Sequence, residues 1–442
     1  MKTTWQTVFL LSIVFWTLAS VSSQAQNWYK GGIHMHTFWS DGNVFPEYMA
    51  DLHREMGYHF IVPSDHSQLQ TNKDRWKEIA ADHPQVKAYV DKYGDWVEQK
   101  EIDGKHFVRL KTIDELKSKL DDPGKFLLIP GHEQNVTIGK GSSMKSVHAN
   151  VINIAETIPF PPLETPAECA RVWQKNCYES GAQNGLNSLW TLNHPFWVHY
   201  DIVPQDLIEV PEVWFYELNT CGKEIFTPNP YAFSRDKFWD IICAFRIIQG
   251  NHPIYCAGAD DSHNHLVFRD FGCNPGLTYV VVRADELEAN KIVQAMKEGD
   301  FYTSTGVTLD NIIYNAEKRS LTVKIKPEDG VHYRIDFIGT KKDFDQTTVD
   351  HLDPAEIPEE EFKSHTQNKP TRMITEYSND IGKVFQTTEG IEATYQLADD
   401  DLYVRALITS DKKPKFIDNH TPETETAWTQ PVGWEKFIQD EK

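Results

Sequence analysis

Apolar runs that end in histidine, aspartate or glutamate recur along the first 300 residues, and stretches with helical spacing separate most of them. Residues 59–62 lead to His66, for example, and residues 188–192 lead to His194. This alternation predicts βα units around a largely parallel sheet. Polar clusters at the C-terminal ends of successive strands are typical of a (β/α) barrel, which keeps its active site at one rim. An open doubly wound sheet is the alternative, but it usually gathers a site at a single crevice.

The pattern changes near residue 309. Residues 321–325, 333–337 and 402–408 alternate apolar and polar side chains, as half-buried antiparallel strands do. The sequence therefore predicts an α/β protein with a barrel domain at 26–308 and a β-rich C-terminal domain at 309–442.

The chain is acidic, with 44 Lys and Arg against 65 Asp and Glu and a net charge of −21 at pH 7. This balance disfavours broad binding to nucleic acid, although metal ions can reverse the potential locally and admit a phosphate. A hydrophobic fraction of 40% predicts a folded protein with a core. We expect a small-molecule substrate as partner, and the sequence leaves the oligomeric state open.

The N-terminus has the pattern of a secretory signal peptide. Met1 and Lys2 precede an apolar run at 8–19, and small and polar residues follow up to Ala25. We predict a signal peptide at 1–25 and export to the periplasm or beyond. An uncleaved anchor is the alternative, although the run is shorter than the roughly 20 residues that span a bilayer. No later segment has transmembrane character, so we expect no membrane span after cleavage.

Export would permit disulfides, but six cysteines allow 15 full pairings that the sequence cannot distinguish. Most of them lie in apolar surroundings, and their spacings do not match a zinc ribbon. We therefore predict buried structural thiols. The cysteines are Cys169, Cys177, Cys221, Cys243, Cys256 and Cys273.

Histidines and carboxylates at strand ends supply a candidate metal site. If residues 28–35 form a strand, His34 and His36 project from one face, and Asp41 follows in a turn that can fold back towards them. Taken singly, a histidine here is more typical of a hydrogen-bonded core residue than of a ligand. Together the nitrogen and oxygen donors suit two or three zinc, manganese or iron ions. The candidate ligands are His34, His36, Asp41, His66, Glu133, His148, His194, Asp261 and His263.

The order of these motifs and the residues within them resemble those of the PHP (polymerase and histidinol phosphatase) superfamily of metal-dependent hydrolases. The resemblance lies within residues 28–308, where residues 295–306 also resemble the closing helix and turn of the CehA/McbA-like branch. It implies a distorted seven-stranded (β/α) barrel that carries the nine ligands. The matching motifs are His34-x-His36-Thr37-x-x-Ser40-Asp41-Gly42, Ser64-Asp65-His66, Glu133, Asn193-His194-Pro195 and Asp261-Ser262-His263. His148 is expected just before a strand, and Asp260 as a partner of a ligand.

The same resemblance implies hydrolysis by a metal-bound hydroxide. Glu133 or Asp261 would span two ions, and His194 would complete the catalytic group. Arg269 is expected to clamp a substrate anion, unless it forms a salt bridge with Asp270.

Five further residues stand near the candidate ligands in sequence. Glu217 and Asn219 complete a strand end and are expected to contact substrate. Trp39, Trp197 and His199 stand beside ligand motifs, where they line the mouth of a pocket or simply pack.

The sequence thus predicts an exported, multinuclear metal-dependent hydrolase, specifically a phosphoesterase acting on a small monoester or diester. One alternative keeps the metal ions but cleaves an ester, amide or carbamate. Another is a non-catalytic glycan- or protein-binding protein.

Overall fold

The computed structural model describes residues 27–140, 145–195, 202–218, 234–266, 273–352, 373–415 and 423–438. Several sequence predictions concern residues outside these ranges: the signal peptide at 1–25, and Trp197, His199, Asn219, Cys221 and Arg269. Within the described ranges, no helix combines the length and the hydropathy needed to cross a bilayer.

Short strands and helices alternate through the first 304 residues. The strands are β1 (Asn27–Gly32), β2 (Phe60–Ile61), β3 (Trp76–Glu78), β4 (Gln99–Ile102), β5 (Lys105–Arg109), β6 (Leu127–Leu128), β7 (Gly131–Ile138), β8 (Lys145–Ile152), β9 (Leu189–Leu192), β10 (Phe215–Leu218), β11 (Tyr255–Gly258), β12 (Tyr279–Ala284) and β13 (Phe301–Ser304). The helices are α1 (Pro46–Glu55), α2 (Pro84–Tyr93), α3 (Ile113–Leu120), α4 (Pro166–Gln183), α5 (Pro204–Ile208), α6 (Arg235–Ile248) and α7 (Ala289–Lys297).

The C-terminal strands are mostly longer. They are β14 (Leu309–Asn315), β15 (Ser320–Ile325), β16 (Tyr333–Lys341), β17 (Thr348–Leu352), β18 (Met373–Tyr377), β19 (Lys383–Glu389), β20 (Glu392–Gln396), β21 (Asp401–Ser410) and β22 (Thr426–Thr429).

Local sequence explains where several helices begin. Thr112 and Thr165 each form a capping box, with Glu115 and Glu168 respectively, at the first turns of α3 and α4. The spacing of residues 76–93 predicts a helix, and Asp103-Gly104 predicts a hairpin turn. The second half of this stretch forms α2, but the helix prediction was wrong for the first half, because that half pairs as β3 with the hairpin that β4 and β5 form around the turn.

The sheet around the candidate ligands is mixed, not largely parallel. One sheet pairs β1 with β2 and β2 with β6 in parallel, but β12 runs antiparallel to β1. A second sheet has the order β11-β10-β9-β8-β7, in which β9, β10 and β11 are parallel and β7, β8 and β9 are antiparallel. The prediction was wrong here because β7 and β8 pair directly with each other as antiparallel strands.

The two sheets meet at two isolated bridges, one between Met35 and Ser262 and one between His66 and Glu133. A closed seven-stranded barrel is therefore not established among the described strands. Side chains also form hydrogen bonds with backbone groups of β11. The Gln430 amide bonds both the N–H and the carbonyl of Cys256, and Thr303 Oγ1 accepts from the N–H of Gly258 and donates to the same carbonyl.

The C-terminal strands continue the first sheet. β22 pairs antiparallel with β13, β21 pairs with β22, and β16 pairs with β21. The domain boundary at 308/309 stays a prediction. A buried ion pair ties this part to α6, since Arg405 on β21 donates to both oxygens of Asp240, at 2.9 and 2.7 Å. Removing one partner of such a pair typically costs about 3–5 kcal/mol, because the other charge stays buried.

Four cysteines fit the predicted role of buried thiols: Cys169, Cys177, Cys243 and Cys256 are free and buried. Cys273 does not, because it is disulfide-bonded. It lies on a partly exposed loop rather than within the apolar core.

His53 predicts a pH dependence of stability. Its side chain is fully buried on α1, and Nδ1 donates to the carbonyl of Met49 at 2.8 Å. Burial lowers the pKa of His53 to about 4, below the value near 6.5 expected for the unfolded chain. Between these values only the unfolded chain binds the proton, so stability falls by roughly 3 kcal/mol as pH drops from about 6.5 to about 4.

The comparison is denaturant unfolding of metal-free wild type and His53→Asn at pH 7.5 and 5.0. We expect the wild type to lose about 2 kcal/mol more than the variant, since roughly 1.5 pH units lie within the window. Equal losses in the two proteins would contradict this role for His53.

Candidate metal centre

Six chain segments deliver the nine candidate ligands to one rim. His34, His36 and Asp41 follow β1, and His66 follows β2, whereas Glu133 and His148 lie within β7 and β8. His194 follows β9, and Asp261 and His263 follow β11. The prediction that His148 precedes its strand was wrong, because β8 begins at Lys145. The structure nevertheless brings all nine side chains together.

Three groups of these side chains have ligand atoms within 4.8 Å of one another. They are His34, His36 and Glu133; Glu133, His148 and His194; and His36, Asp41, His66 and His263. A fourth group combines Asp261 and His263 with Cys273. Because Cys273 is disulfide-bonded, it offers no thiolate, and we exclude it as a ligand.

His34 and His36 point their Nε2 atoms at a common position, 3.2 Å apart. Their Nδ1 atoms are engaged elsewhere, at 2.8 Å from Glu217 Oε1 and 3.1 Å from Ser40 Oγ. Since Ser40 Oγ donates to Asp65 at 2.7 Å, it accepts from His36, which places the His36 proton on Nδ1. Each imidazole therefore turns Nε2 towards the centre.

Glu133 lies between the groups and is 1% exposed. Its Oε1 is 3.4 Å from His34 Nε2, 3.1 Å from His148 Nδ1 and 3.5 Å from His194 Nε2. Its Oε2 is 3.4 Å from His36 Nε2 and 2.7 Å from His66 Nδ1. One carboxylate thus belongs to two of the groups, and its role in spanning two ions stays a prediction.

Asp261 and Asp41 face the histidines from opposite sides. Asp261 Oδ1 is 3.0 Å from His34 Nε2 and 3.1 Å from His36 Nε2. Asp41 is 3.2 Å from His263 Nε2 and 3.5 Å from His66 Nε2, and its side chain is 57% exposed. The Asp41 corner is therefore the part of the centre that meets solvent.

The pKa shifts reflect closely packed opposite charges. Burial opposes ionisation of Glu133 and Asp261, yet neighbouring histidines, His34 first, hold both pKa values well below the usual range. Burial alone would lower the pKa of His66, but Asp41 and Glu133 raise it to about 10. Burial and then His263 lower the pKa of His36 to about 4. Although burial opposes protonation, the carboxylates also raise the pKa values of His34 and His263, so protons on these histidines balance the buried negative charge, and a bound cation would balance the same charge in their place.

Two candidate ligands have backbone conformations that side-chain-bearing residues seldom adopt. His194 has φ 24° and Asp261 has φ 46°. Such conformations cost of order 1–3 kcal/mol each and persist where surrounding structure fixes them, commonly at functional sites. Here they place the two side chains at the rim.

The donor set fits divalent ions. In the first group and Asp261, neighbouring ligand atoms are 3.0 to 3.4 Å apart. Ligands at about 2.0–2.2 Å from a tetrahedral ion stand roughly 3.3–3.6 Å apart. Glu133 Oε2 and His66 Nδ1 are both buried, and although they lie 2.7 Å apart, neither makes a hydrogen bond of good geometry among the described residues. Imidazole and carboxylate donors suit zinc, manganese or iron.

The structure shows the surroundings of three further residues named in the sequence analysis. Glu217, expected to contact substrate, is buried against His34 and Asn150. Trp39 is 1% exposed and donates to the carbonyl of Lys111, so it packs and does not line an opening. Asp260 accepts from Gly276 N at 2.6 Å, and its role as a partner of a ligand stays a prediction.

Sequence reasoning missed two supporting residues. Asp65 accepts from Thr37 and Ser40 and so fixes the loop that carries His36. Asn193 donates to Glu133 Oε1 at 2.8 Å. Both stand next to a ligand in sequence, and that adjacency was the available indication.

Comparisons with known proteins give only weak likenesses. No protein-family model and no curated protein matches this chain. One similar solved structure is a two-domain protein from Bacteroides vulgatus that contains a predicted PHP-like metal-dependent phosphoesterase. Its sequence is 12% identical, the match covers 92% of this chain and 95% of that chain, and the TM-score is 0.38. Another is a candidate metal-dependent phosphoesterase from Bifidobacterium adolescentis, with 11% identity, coverage of 53% and 87%, and a TM-score of 0.26. TM-scores below 0.5 do not establish a common fold.

Glu133→Gln tests the centre directly. Because Glu133 belongs to two groups, its neutralisation should weaken the binding of more than one ion. We expect metal affinity to fall by at least about tenfold, because losing a residue that only supports a ligand already costs about that much. Metal analysis after equilibrium dialysis against zinc or manganese measures this. His132→Gln is the matched control, since His132 is buried on the same strand and bonds Ile158 N instead. Equal retention by Glu133→Gln and wild type would exclude Glu133 as a ligand.

Proposed function

We propose that this protein is a metal-dependent phosphoesterase of the PHP type, which holds two or three divalent ions and hydrolyses a small phosphate ester. One observation carries the proposal: His34 Nε2, His36 Nε2, Glu133 and Asp261 Oδ1 converge on one buried position. The ordered motifs of the PHP superfamily support it, because each supplies side chains to that same rim.

The three groups suggest how ions are held. His34, His36, Glu133 and Asp261 would hold one ion, and Glu133, His148 and His194 a second. Asp41, His66 and His263 would hold a third at the solvent-facing corner. Zinc, manganese and iron fit these donors, and the number bound is part of the proposal.

Divalent ions, when bound, lower the pKa of water and neutralise the oxygens of a phosphate and a departing alkoxide. The chain contributes positioning. Glu133 fixes the spacing of the groups from a buried strand, and the exposed carboxylate of Asp41 marks the side from which substrate approaches. Hydrolysis forms a bond from water oxygen to phosphorus and breaks the bond from phosphorus to the ester oxygen, which leaves as an alcohol. Arg269 and Asn219 stay predicted substrate contacts.

The activity prediction concerns metal dependence and bond type. Chelated protein should lose at least about 90% of its turnover of phosphate monoesters or diesters, and manganese or zinc should restore it, because water activation needs the ions. The assay uses phosphate esters alongside carboxylic and carbamate esters. His34→Ala should abolish restoration, whereas His132→Gln should keep it. Turnover of carboxylic or carbamate esters alone would replace the phosphoesterase by the alternative hydrolase, and chelator-insensitive turnover would overturn the metal mechanism.

We propose in addition that the protein is exported, on the strength of the signal-like sequence at residues 1–25. In a bacterial host with a secretory pathway, the mature chain should begin near residue 26 and be absent from the cytoplasmic fraction. Mass spectrometry of the intact protein and fractionation measure both. A chain that keeps Met1 to Ala25 and stays in the cytoplasm would contradict export.

A further inference from the structure

Glu217 lies in β10, inside the five-stranded sheet, and is 1% exposed. Three donors surround its carboxylate. Oε1 is 2.8 Å from His34 Nδ1 and 3.3 Å from Asn150 Nδ2, and Oε2 is 3.2 Å from the backbone N–H of His194. An ionised carboxylate accepts all three hydrogen bonds, so it is satisfied without solvent or substrate.

The bond to Glu217 selects the tautomer of His34. With Nδ1–H donated to the carboxylate, Nε2 is the nitrogen that remains for an ion, and it faces Asp261 Oδ1 at 3.0 Å. The opposite tautomer would carry a proton on Nε2 and could not ligate there. The carboxylate therefore decides which nitrogen of His34 faces the centre.

The second oxygen of Glu217 acts on a different group. His194 has φ 24°, and the bond from its N–H to Oε2 helps to fix that conformation. His34 and His194 belong to two groups that share only Glu133. One buried carboxylate thus supports ligands of both groups.

We propose that Glu217 is a positioning residue that orients His34 for metal binding and at the same time holds His194 in place. His36 has a separate support, since Ser40 and Asp65 engage its Nδ1 side. The assignment rests on the metal-binding part of the proposed function and not on the bond that is hydrolysed.

Glu217→Gln is the informative variant, because it keeps the shape but leaves one oxygen where two are needed. The amide NH₂ must then oppose the donor from His34 or the donor from His194. We expect zinc affinity about 10–100-fold weaker than in wild type, the usual cost of losing such an outer partner. A competitive chelator titration of metal-free protein with zinc alone measures it without any substrate.

Glu47→Gln is the matched control. Glu47 is also a fully buried glutamate, but it accepts from Tyr89 and Trp96 and touches none of the nine candidate ligands in the described contacts. We expect this variant to keep wild-type zinc affinity even where it lowers thermal stability. Equal weakening in Glu47→Gln and Glu217→Gln would overturn the proposal, because burial of any carboxylate would then suffice.

Two further measurements keep the test decisive if Glu217→Gln does not fold. Glu217→Asp, which retains the charge on a shorter side chain, should lie between wild type and Glu217→Gln in zinc affinity; wild-type affinity would count against the proposal. In zinc-loaded wild type, ¹⁵N spectra of labelled histidine should show His34 protonated at Nδ1 and metal-bound at Nε2, with its signals identified by their loss in His34→Gln.

The outcomes separate this proposal from the previous one. A metal-bound Nδ1 of His34, or unchanged zinc affinity in Glu217→Gln, would overturn the positioning role while leaving the phosphoesterase intact. Failure of wild type to bind any divalent ion would overturn both. Zinc binding with the predicted Glu217 effect, but without turnover of phosphate esters, would support the positioning role and overturn only the phosphoesterase.

Discussion

The convergence of imidazole nitrogens and carboxylate oxygens around Glu133 is the constraint on which the rest of the structure depends. A protein interior accepts such a cluster only when protons or cations balance the charge, since an uncompensated buried carboxylate costs several kcal/mol. The same residues also join the two sheets, because His66 bridges to Glu133 and Met35, between the two histidines, bridges to Ser262. Whatever balances the charge therefore also stabilises the contact between the sheets.

The candidate ligands could be recognised from sequence because each lies in a short local motif next to an apolar run. His34-x-His36 is ambiguous alone, and its weight comes from Glu133, His194 and Asp261 recurring at later strand ends. The helical spacing at residues 113–120 also predicts the helix that the structure shows as α3, which begins with a capping box. Patterns of this kind involve residues that are close in sequence, so they can be recognised without the structure.

Features that depend on residues far apart in sequence could not be predicted. Glu217 meets His34 across 183 residues, and nothing near either residue encodes that contact. The β7–β8 hairpin was missed because its strands carry Glu133 and His148 facing inward, which breaks the simple apolar run of a buried strand. The candidate ligands were thus predicted from sequence, whereas the residues that orient them were identified only in the folded structure.

The side-chain bonds along β11 have a consequence for how this protein can be divided. Gln430 comes from the last strands of the chain, yet it satisfies the backbone of Cys256, five residues before Asp261. A chain ending at residue 308 would lose both Gln430 bonds, so the N–H of Cys256 would lose that partner, although Thr303 Oγ1 would still donate to the carbonyl. It would also turn β13 into an open edge, because β22 would be gone. The C-terminal strands are therefore a structural requirement of the rim, and the two parts are expected to unfold together and to be inherited as one unit.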